Sequence, residues 1–351
     1  MEKFRAGILG ATGAVGQRFV QLLANHPWFE LTALAASERS AGKNYGSAVK
    51  WILDEPMPEA VKGMVVQDIY SNFPCDVLFS ALDSSVAGEI EERFAQAGYA
   101  VLSNSKNHRM DPDVPLLVPE VNAEHAEILA LQKTRRGSAG FIATNPNCTT
   151  TGLVLALKPL HDAFKVTKVF VTTMQALSGA GYPGVPSMDI IDNVIPYIGG
   201  EEEKVEFEPR KILGGLSPSG FIPADFRISA HCNRVAVRDG HTECVSVEFE
   251  RKVTIEEVRR AFSEFVSPIA GLILPSAPEH CLVLRAEEDR PQPRKDRGTS
   301  AGMSVVLGRL RPDPLLDYKF TLLVHNTIRG AAGGSILNAE LLAAKGILPR
   351  R

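Results

Sequence analysis

One thiol and one imidazole stand where a covalent mechanism needs them. Cys148 follows Asn145-Pro146-Asn147 and precedes Thr149-Thr150-Thr151-Gly152. The strand-like run Phe141-Ile142-Ala143-Thr144 enters this stretch and the apolar run Leu153-Val154-Leu155-Ala156-Leu157 leaves it, so the spacing predicts a turn that delivers Cys148 to a helix start. Unpaired backbone N–H groups and the helix dipole favour an anion there, and the expectation is a thiolate accessible near neutral pH. A thiolate is the nucleophile of acyl transfer. Taken alone, the same residues also fit a small buried hydrophobe after a turn. Its base is sought among His161, His231, His241, His280 and His325. His241 ends the run Asn233-Arg234-Val235-Ala236-Val237-Arg238-Asp239-Gly240-His241, a strand leading into a glycine turn, which would project an imidazole at a strand end. A surface histidine is the plainer alternative. No metal site is expected from His231, Cys232, His241 and Cys244, because Cys232 and His241 would bracket a continuous strand instead of a tight ligand knuckle. A third cluster, Ser103-Asn104-Ser105-Lys106-Asn107-His108-Arg109, is dense in donors, and Lys106 and Arg109 suit a small phosphate or carboxylate.

The scaffold for these groups must be large. The 351 residues suggest two domains at roughly 100–200 residues each. Near-balanced charge, 38 Lys+Arg against 41 Asp+Glu, speaks against a nucleic-acid partner. No run approaches the roughly 18 apolar residues of a membrane span, and Met1-Glu2-Lys3-Phe4-Arg5 does not resemble a signal peptide. Five cysteines without close pairs fit a reducing compartment, so the expected location is cytoplasmic.

Phe4-Arg5-Ala6-Gly7-Ile8-Leu9 reads as a buried strand that runs into Gly10-Ala11-Thr12-Gly13-Ala14-Val15-Gly16 and then a helix with Val15, Phe19, Leu22 and Leu23 at helical spacing. Strand, glycine turn and helix are the context of a dinucleotide fingerprint, with pyrophosphate on the helix N-terminus. The next strand, residues 31–36, ends in Ser37-Glu38-Arg39-Ser40-Ala41-Gly42-Lys43. Ser37, Arg39, Ser40 and Lys43 would nest a ribose 2′-phosphate, which favours NADP, whereas Glu38 could hold a 2′-hydroxyl instead. Strands at 77–82 and 99–102 with a helix across 87–97 continue a parallel alternation, and the loop Asp83-Ser84-Ser85 should face the ligand crevice. Beyond Cys148 the runs at 169–174, 244–250, 304–307 and 320–324 suggest a mostly antiparallel sheet with helices on one side. A long Gly/Pro loop, 178–186, lies beside Gln175, and a final helix is expected over 336–344.

These motifs carry a resemblance. Gly10 to Gly16, Asn145 to Thr150, Gln175-Ala176-Leu177-Ser178-Gly179-Ala180-Gly181, Glu201-Glu202-Glu203-Lys204, and Arg234 followed by Gly240-His241 occur in the order expected for the aspartate-semialdehyde dehydrogenase family. The chain is most similar to its archaeal and fungal branch, through Ser229-Ala230-His231-Cys232-Asn233-Arg234-Val235. The resemblance implies an α/β fold, a Rossmann-type doubly wound parallel sheet plus an α+β catalytic and dimerisation domain. The boundaries would be 1–147, with the C-terminal segment 331–351 packing back, and 148–330. It implies NADPH-dependent reduction of L-aspartyl 4-phosphate to the semialdehyde through a cysteine thioester, on the route to lysine, threonine and methionine, by a homodimer or homotetramer.

Residue by residue, Cys148 resembles the family nucleophile, His241 its acid/base and Gln175 the side chain orienting the acyl group. Arg234 would grip the α-carboxylate from a position on the same strand as His241, Glu201 would meet the amino group, and Lys204 and Arg109 would hold phosphate beside Asn147. Gly10, Thr12, Gly13, Ala14, Val15, Ser37, Arg39, Ser40, Ser84, Ser178, Gly179 and Asn326 are the expected cofactor contacts, with no metal. Two rivals are a coenzyme A thioester reductase of the malonyl-CoA reductase type on the same scaffold, and a non-catalytic dinucleotide-binding regulator, which should have lost Cys148 or His241.

Overall fold

The computed structural model describes residues 2–351. The N-terminal sheet contains β1 (Phe4–Leu9), β2 (Phe29–Ala36), β3 (Val66–Asp68), β4 (Val77–Ser80), β5 (Ala100–Ser103) and β6 (Phe141–Thr144). Its order is β3-β2-β1-β4-β5-β6, every pairing is parallel, and β4, β5 and β6 are buried throughout. Both faces are therefore covered, and the order reverses between β1 and β4, where doubly wound sheets bind ligands. Between β1 and α1 (Ala14–Leu23), Gly10 turns with φ +79°, and a Cβ on Gly16 would fall 2.2 Å from the Gly10 carbonyl oxygen. Any side chain there would push α1 off the strand.

One helix start here differs from expectation. α2 runs Ser84–Gln96 instead of starting at 87, because the Asp83 side chain accepts from the Ser85 N–H and caps it three residues earlier. A further helix, α3 (Ile128–Arg136), stops where Gly137 takes φ +60°.

The second sheet comprises β7 (Val166–Gln175), β10 (Arg227–Arg234), β11 (His241–Phe249), β12 (Leu282–Leu284), β13 (Val305–Pro312) and β14 (Tyr318–Val324), while β8 (Gly215–Ser217) and β9 (Gly220–Ile222) form a separate hairpin. The order is β10-β7-β11-β14-β13-β12, with an antiparallel centre and a parallel pair at each edge. α4 (Cys148–Phe164), α5 (Glu201–Ile212) and α6 (Ile255–Ser263) cover one face. α4 is sheathed in core: Leu153 through Leu157 are all fully buried.

The last helix, α7, spans Gly333–Ala344 and follows a wide turn at Ile328–Ala332, so it begins three residues before the expected start. Ala332, Ile336, Ala339 and Leu342 join the core of the first sheet. Leu337 and Leu341 pack on Ile269, Leu274 and Met303. The turn is anchored by a fully buried bidentate pair, Arg329 to Glu120, at 2.6 Å on both arms.

Candidate active site

α4 starts at Cys148 because Asn147 caps it. The Asn147 Oδ1 accepts from the Thr149 and Thr150 N–H groups at 2.9 and 3.2 Å. The same residue is held from α5: its Nδ2 donates to Glu201 Oε1 at 2.6 Å and its backbone N–H donates to Glu208 Oε2 at 2.8 Å. The nucleophile's turn is thus fixed on both sides.

His241 opens β11 after Gly240 at φ +100°, and its Nε2 lies 3.2 Å from Cys148 Sγ. The ring is fully buried, and its Nδ1 accepts from the Ala176 N–H at 3.0 Å. Arg234 is not on the same strand as His241, contrary to expectation. It ends β10, and β7 runs between the two strands. Arg234 pairs with Gln175 and Thr242 with Met174, so Arg234, Gln175 and His241 gather at one end of three adjacent strands. The strand expected from 233 to 241 is broken at 235–240, which removes the ground first given against a metal site there. Among the described residues no group of three or more metal-ligating side chains is placed to hold an ion.

Electrostatics correct a second expectation. Burial pushes the Cys148 thiol up to about 12 and nearby Glu201 adds to this, against the pull of Arg109, the Thr149 N–H and Arg234. Burial likewise pulls His241 down to about 3, with Arg234 and His325 adding and Glu201 opposing. Both shifts favour the neutral forms, thiol and imidazole, although Cys148 keeps partial exposure on the cleft. Moving a full charge out of water outweighs the roughly half charge of a helix terminus.

Around the pair, Glu201 Oε2 accepts from Lys204 Nζ at 2.9 Å. Burial alone would push the Glu201 carboxyl up, but Lys204 and Asn147 hold it below the usual range. Arg109 donates from Nη1 to Glu208 Oε1 at 2.9 Å and from Nη2 to the Asn104 carbonyl at 2.8 Å. A Cβ on Gly179 would stand 2.9 Å from Arg234 Nη1 and 3.0 Å from His241 Cε1, so only glycine leaves room for both. Asn326 accepts from the Gly240 N–H and donates to Ser178 Oγ, tying the turn before His241 to the glycine loop.

A cleft of about 800 Å³ runs past these groups. Thr12, Gly13, Ala14, Val15 and Ser84 line it on the first-sheet side, and Arg109, Asn147, Cys148, Ser178, Gly179, Glu201, Lys204 and Asn326 on the other. Gly10 lies behind the glycine turn, while Gln175, Arg234 and His241 are buried behind Cys148. Ser37, Arg39 and Ser40 sit apart from the cleft lining, at the carboxyl end of β2, with Ser37 and Arg39 exposed. A dinucleotide fits the first side. Gly13 precedes α1 without any side-chain cap, and a Cβ on Gly10 would strike the Ala81 carbonyl oxygen at 2.6 Å, so the first N–H groups of α1 are left to an anion.

Sequence reading missed three buried charged residues. Glu208 bridges Arg109 to the Asn147 N–H, and Lys211 Nζ donates to the carbonyls of Arg109, Asp111 and Val114 at 2.7, 2.8 and 2.8 Å. The signal was present: Glu201, Lys204, Glu208 and Lys211 follow helical spacing and mark one face of α5. Glu243, fully buried beside Gly152, has no partner for either carboxyl oxygen, and burial raises it well above the usual range.

Comparison with known proteins agrees with this geometry. Residues 5–129 match the family model of the semialdehyde dehydrogenase NAD binding domain, and residues 157–329 that of the semialdehyde dehydrogenase dimerisation domain. The chain is 53% identical over 348 residues to an aspartate-semialdehyde dehydrogenase of Archaeoglobus fulgidus, covering 99% of this chain and 100% of that one. It is 49% identical over 360 residues to the Saccharomyces cerevisiae enzyme of the same name, covering 98% of each. A crystal structure of aspartate semialdehyde dehydrogenase with NADP from Candida albicans superposes with TM-score 0.91 at 47% identity, over 99% of this chain and 100% of that one. With about half its residues shared end to end with such relatives, the chain belongs to the aspartate-semialdehyde dehydrogenase family.

Proposed function

We propose that this protein reduces L-aspartyl 4-phosphate to L-aspartate 4-semialdehyde with NADPH, releasing phosphate, on the route to lysine, threonine and methionine. The observation that carries this reading is the 3.2 Å contact between Cys148 Sγ and His241 Nε2, beside a cleft with a bare helix N-terminus on one side and Arg109, Glu201 and Lys204 on the other. Cys148 attacks the acyl carbon and becomes a thioester, while phosphate departs toward Arg109 and Lys204. Arg234 offers its fork to the α-carboxylate, Glu201 accepts from the ammonium, Asn147 and Gln175 orient the acyl group, and His241 is the acid/base partner. Gly10, Thr12, Gly13, Ala14 and Val15 hold the dinucleotide pyrophosphate, Ser37, Arg39 and Ser40 its 2′-phosphate, and Ser84, Ser178, Gly179 and Asn326 the remainder. Bound NADPH supplies the hydride that reduces the thioester.

The cofactor unit is residues 1–147 with 331–351, and the catalytic and dimerisation unit is 148–330. A homodimer or homotetramer is the assembly. It is supported by the dimerisation-domain match and by Phe170, His231 and Cys244, which are exposed on the sheet face that carries no helix. Five unbridged cysteines support a cytoplasmic location, and among the described residues no helix is long and apolar enough to cross a membrane.

The test is the reverse reaction. Purified protein given the semialdehyde, phosphate and either NADP⁺ or NAD⁺ should reduce NADP⁺ faster, and only with phosphate present. A separate arm supplies malonyl-CoA and NADPH. Preference for malonyl-CoA would replace this reading with a thioester reductase.

A further inference from the structure

We infer that Lys211 is a positioning residue for phosphate: it grips the main chain of Arg109 from α5, the β8–β9 hairpin closes over that contact, and together they set phosphate affinity without lining the cleft. This role depends on Arg109 receiving phosphate, as the proposed function has it. Lys211 Nζ donates to the carbonyls of Arg109, Asp111 and Val114 at 2.7, 2.8 and 2.8 Å. Three residues earlier on the same helix face, Glu208 Oε1 accepts from Arg109 Nη1 at 2.9 Å. One helix thus holds both ends of one arginine, its guanidinium and its main chain. Arg136 and Gln132 of α3 hold residues 111 and 113 of the same loop, and among the described residues Lys211 alone reaches the Arg109 carbonyl.

A residue that only fills space would look different. Lys211 is 4% exposed and forms no ion pair among the described residues, because the carboxylates near it are engaged, Glu208 by Arg109 and the Asn147 N–H, Asp111 and Asp113 by Arg136. Burying an unpaired ammonium is costly, and an apolar side chain would occupy the same volume without that cost. Burial pulls Lys211 down to about 7, with Asp111, Asp113 and Glu208 opposing. Three acceptors nevertheless call for three N–H donors, and a free amine carries two, so the contacts are those of the ammonium.

The hairpin is fitted to this contact. The Phe221 ring of β9 has its centroid 4.3 Å from Lys211 Nζ and 5.2 Å from that of the fully buried His125 ring. His125 Nε2 donates to the Gly214 carbonyl at 3.2 Å, which ties down the residue before β8. Gly220 takes φ +140°, and a Cβ there would stand 2.9 Å from the Pro112 carbonyl oxygen, so the hairpin lies directly against the gripped loop. Water that would compete for the ammonium is kept away, and in such dry surroundings each N–H···O contact is stronger. Loss of the grip would free the Arg109 main chain while α3 still held its neighbours. A displacement of about 1 Å in a positioned group can lower its effect up to a hundredfold.

Steady-state kinetics in the reverse direction, with phosphate, semialdehyde and NADP⁺ each varied in turn, test this. Lys211→Met should raise the KM for phosphate at least roughly tenfold, with kcat within about threefold and the KM for NADP⁺ within about twofold. Phe221→Leu, a milder change that removes the ring over Nζ, should raise the phosphate KM roughly threefold. Arg109→Gln should itself raise that KM, and adding Lys211→Met or Phe221→Leu to it should change the value by less than about twofold, because both act through Arg109. An unmoved phosphate KM in either folded single variant overturns the inference. So does an equal rise for phosphate and NADP⁺, or a full repeat of the single-variant effect in the Arg109→Gln background. If Lys211→Met does not fold, Phe221→Leu and its double variant decide. A wild-type phosphate KM in Arg109→Gln would instead sink the reading of Arg109 as a phosphate ligand, and the inference with it.

Discussion

Glu208 touches neither the nucleophile nor the cleft, yet its carboxylate joins the two. Oε1 accepts from Arg109 Nη1 at 2.9 Å and Oε2 from the Asn147 N–H at 2.8 Å, and the side chain is 3% exposed. Glu208→Gln keeps the shape but offers one oxygen where two are needed, so either Arg109 or Asn147 must face an NH2 group. Arg109 has no slack, since its Nε is already buried without a partner. A charge-assisted hydrogen bond of this kind contributes about 1.5–3 kcal/mol, and burial leaves little solvent screening to discount. At about 1.4 kcal/mol per factor of ten, catalytic efficiency should fall roughly ten- to a hundredfold. The distinguishing readout is which constant moves. Steady-state kinetics in the reverse direction should show a raised KM for phosphate and a lowered kcat, with the KM for NADP⁺ within about twofold. Unchanged phosphate kinetics, or an equal loss for phosphate and cofactor, would refute the bridge and leave Glu208 as a general prop of the fold.

Further perturbations separate the remaining roles. Cys148→Ser should cut turnover by at least about a thousandfold while cofactor binding, followed by fluorescence, is retained. Iodoacetamide with mass spectrometry should modify exposed Cys244 and Cys148, which keeps partial exposure on the cleft, and spare Cys75, Cys232 and Cys281, which are buried out of the reagent's reach; activity should be lost only with Cys148. Gly179→Ala drives a methyl group into Arg234 and His241, and kcat should drop roughly tenfold or more, with an unmoved kcat showing that the ring has room to shift. For Glu243, the folded carboxyl titrates above its unfolded value of 4.5, so its contribution is present below that pH and lost as the pH rises above it. Glu243→Gln removes this loss, and its gain in thermal midpoint over wild type should be larger at about pH 8 than at about pH 5, the wild-type penalty growing by up to about 1.4 kcal/mol per pH unit. An equal gain at both pH values would mean that Glu243 is not protonated in the fold.

Much of the molecule was legible where the physics is local. A strand, a glycine turn and a helix start are set within some fifteen residues, and β1, Gly10 to Gly16 and α1 appeared as read. Asn147 caps α4 two and three residues ahead of itself, so the placement of Cys148 at a helix N-terminus was written in Asn-Pro-Asn-Cys-Thr-Thr. The resemblance to a family rested on those same local words. What they could not carry was the state and company of each group. Cys148 meets His241 across 93 residues of chain, and Arg234 joins them from a different strand only because β7 runs between β10 and β11. The upward push on the Cys148 thiol was not foreseen because a helix terminus is visible in sequence, whereas the partial burial of this side chain is a property of the assembled fold, and desolvation is the larger effect. The Ala176 N–H was invisible for a further reason: every residue but proline has that group, and only its aim at Nδ1, fixed where β7 ends beside β11, gives it chemical meaning. Sequence determined which side chains this protein owns and which local turns present them; tertiary structure decided which are wet and which are paired, because those depend on distances between segments far apart along the chain.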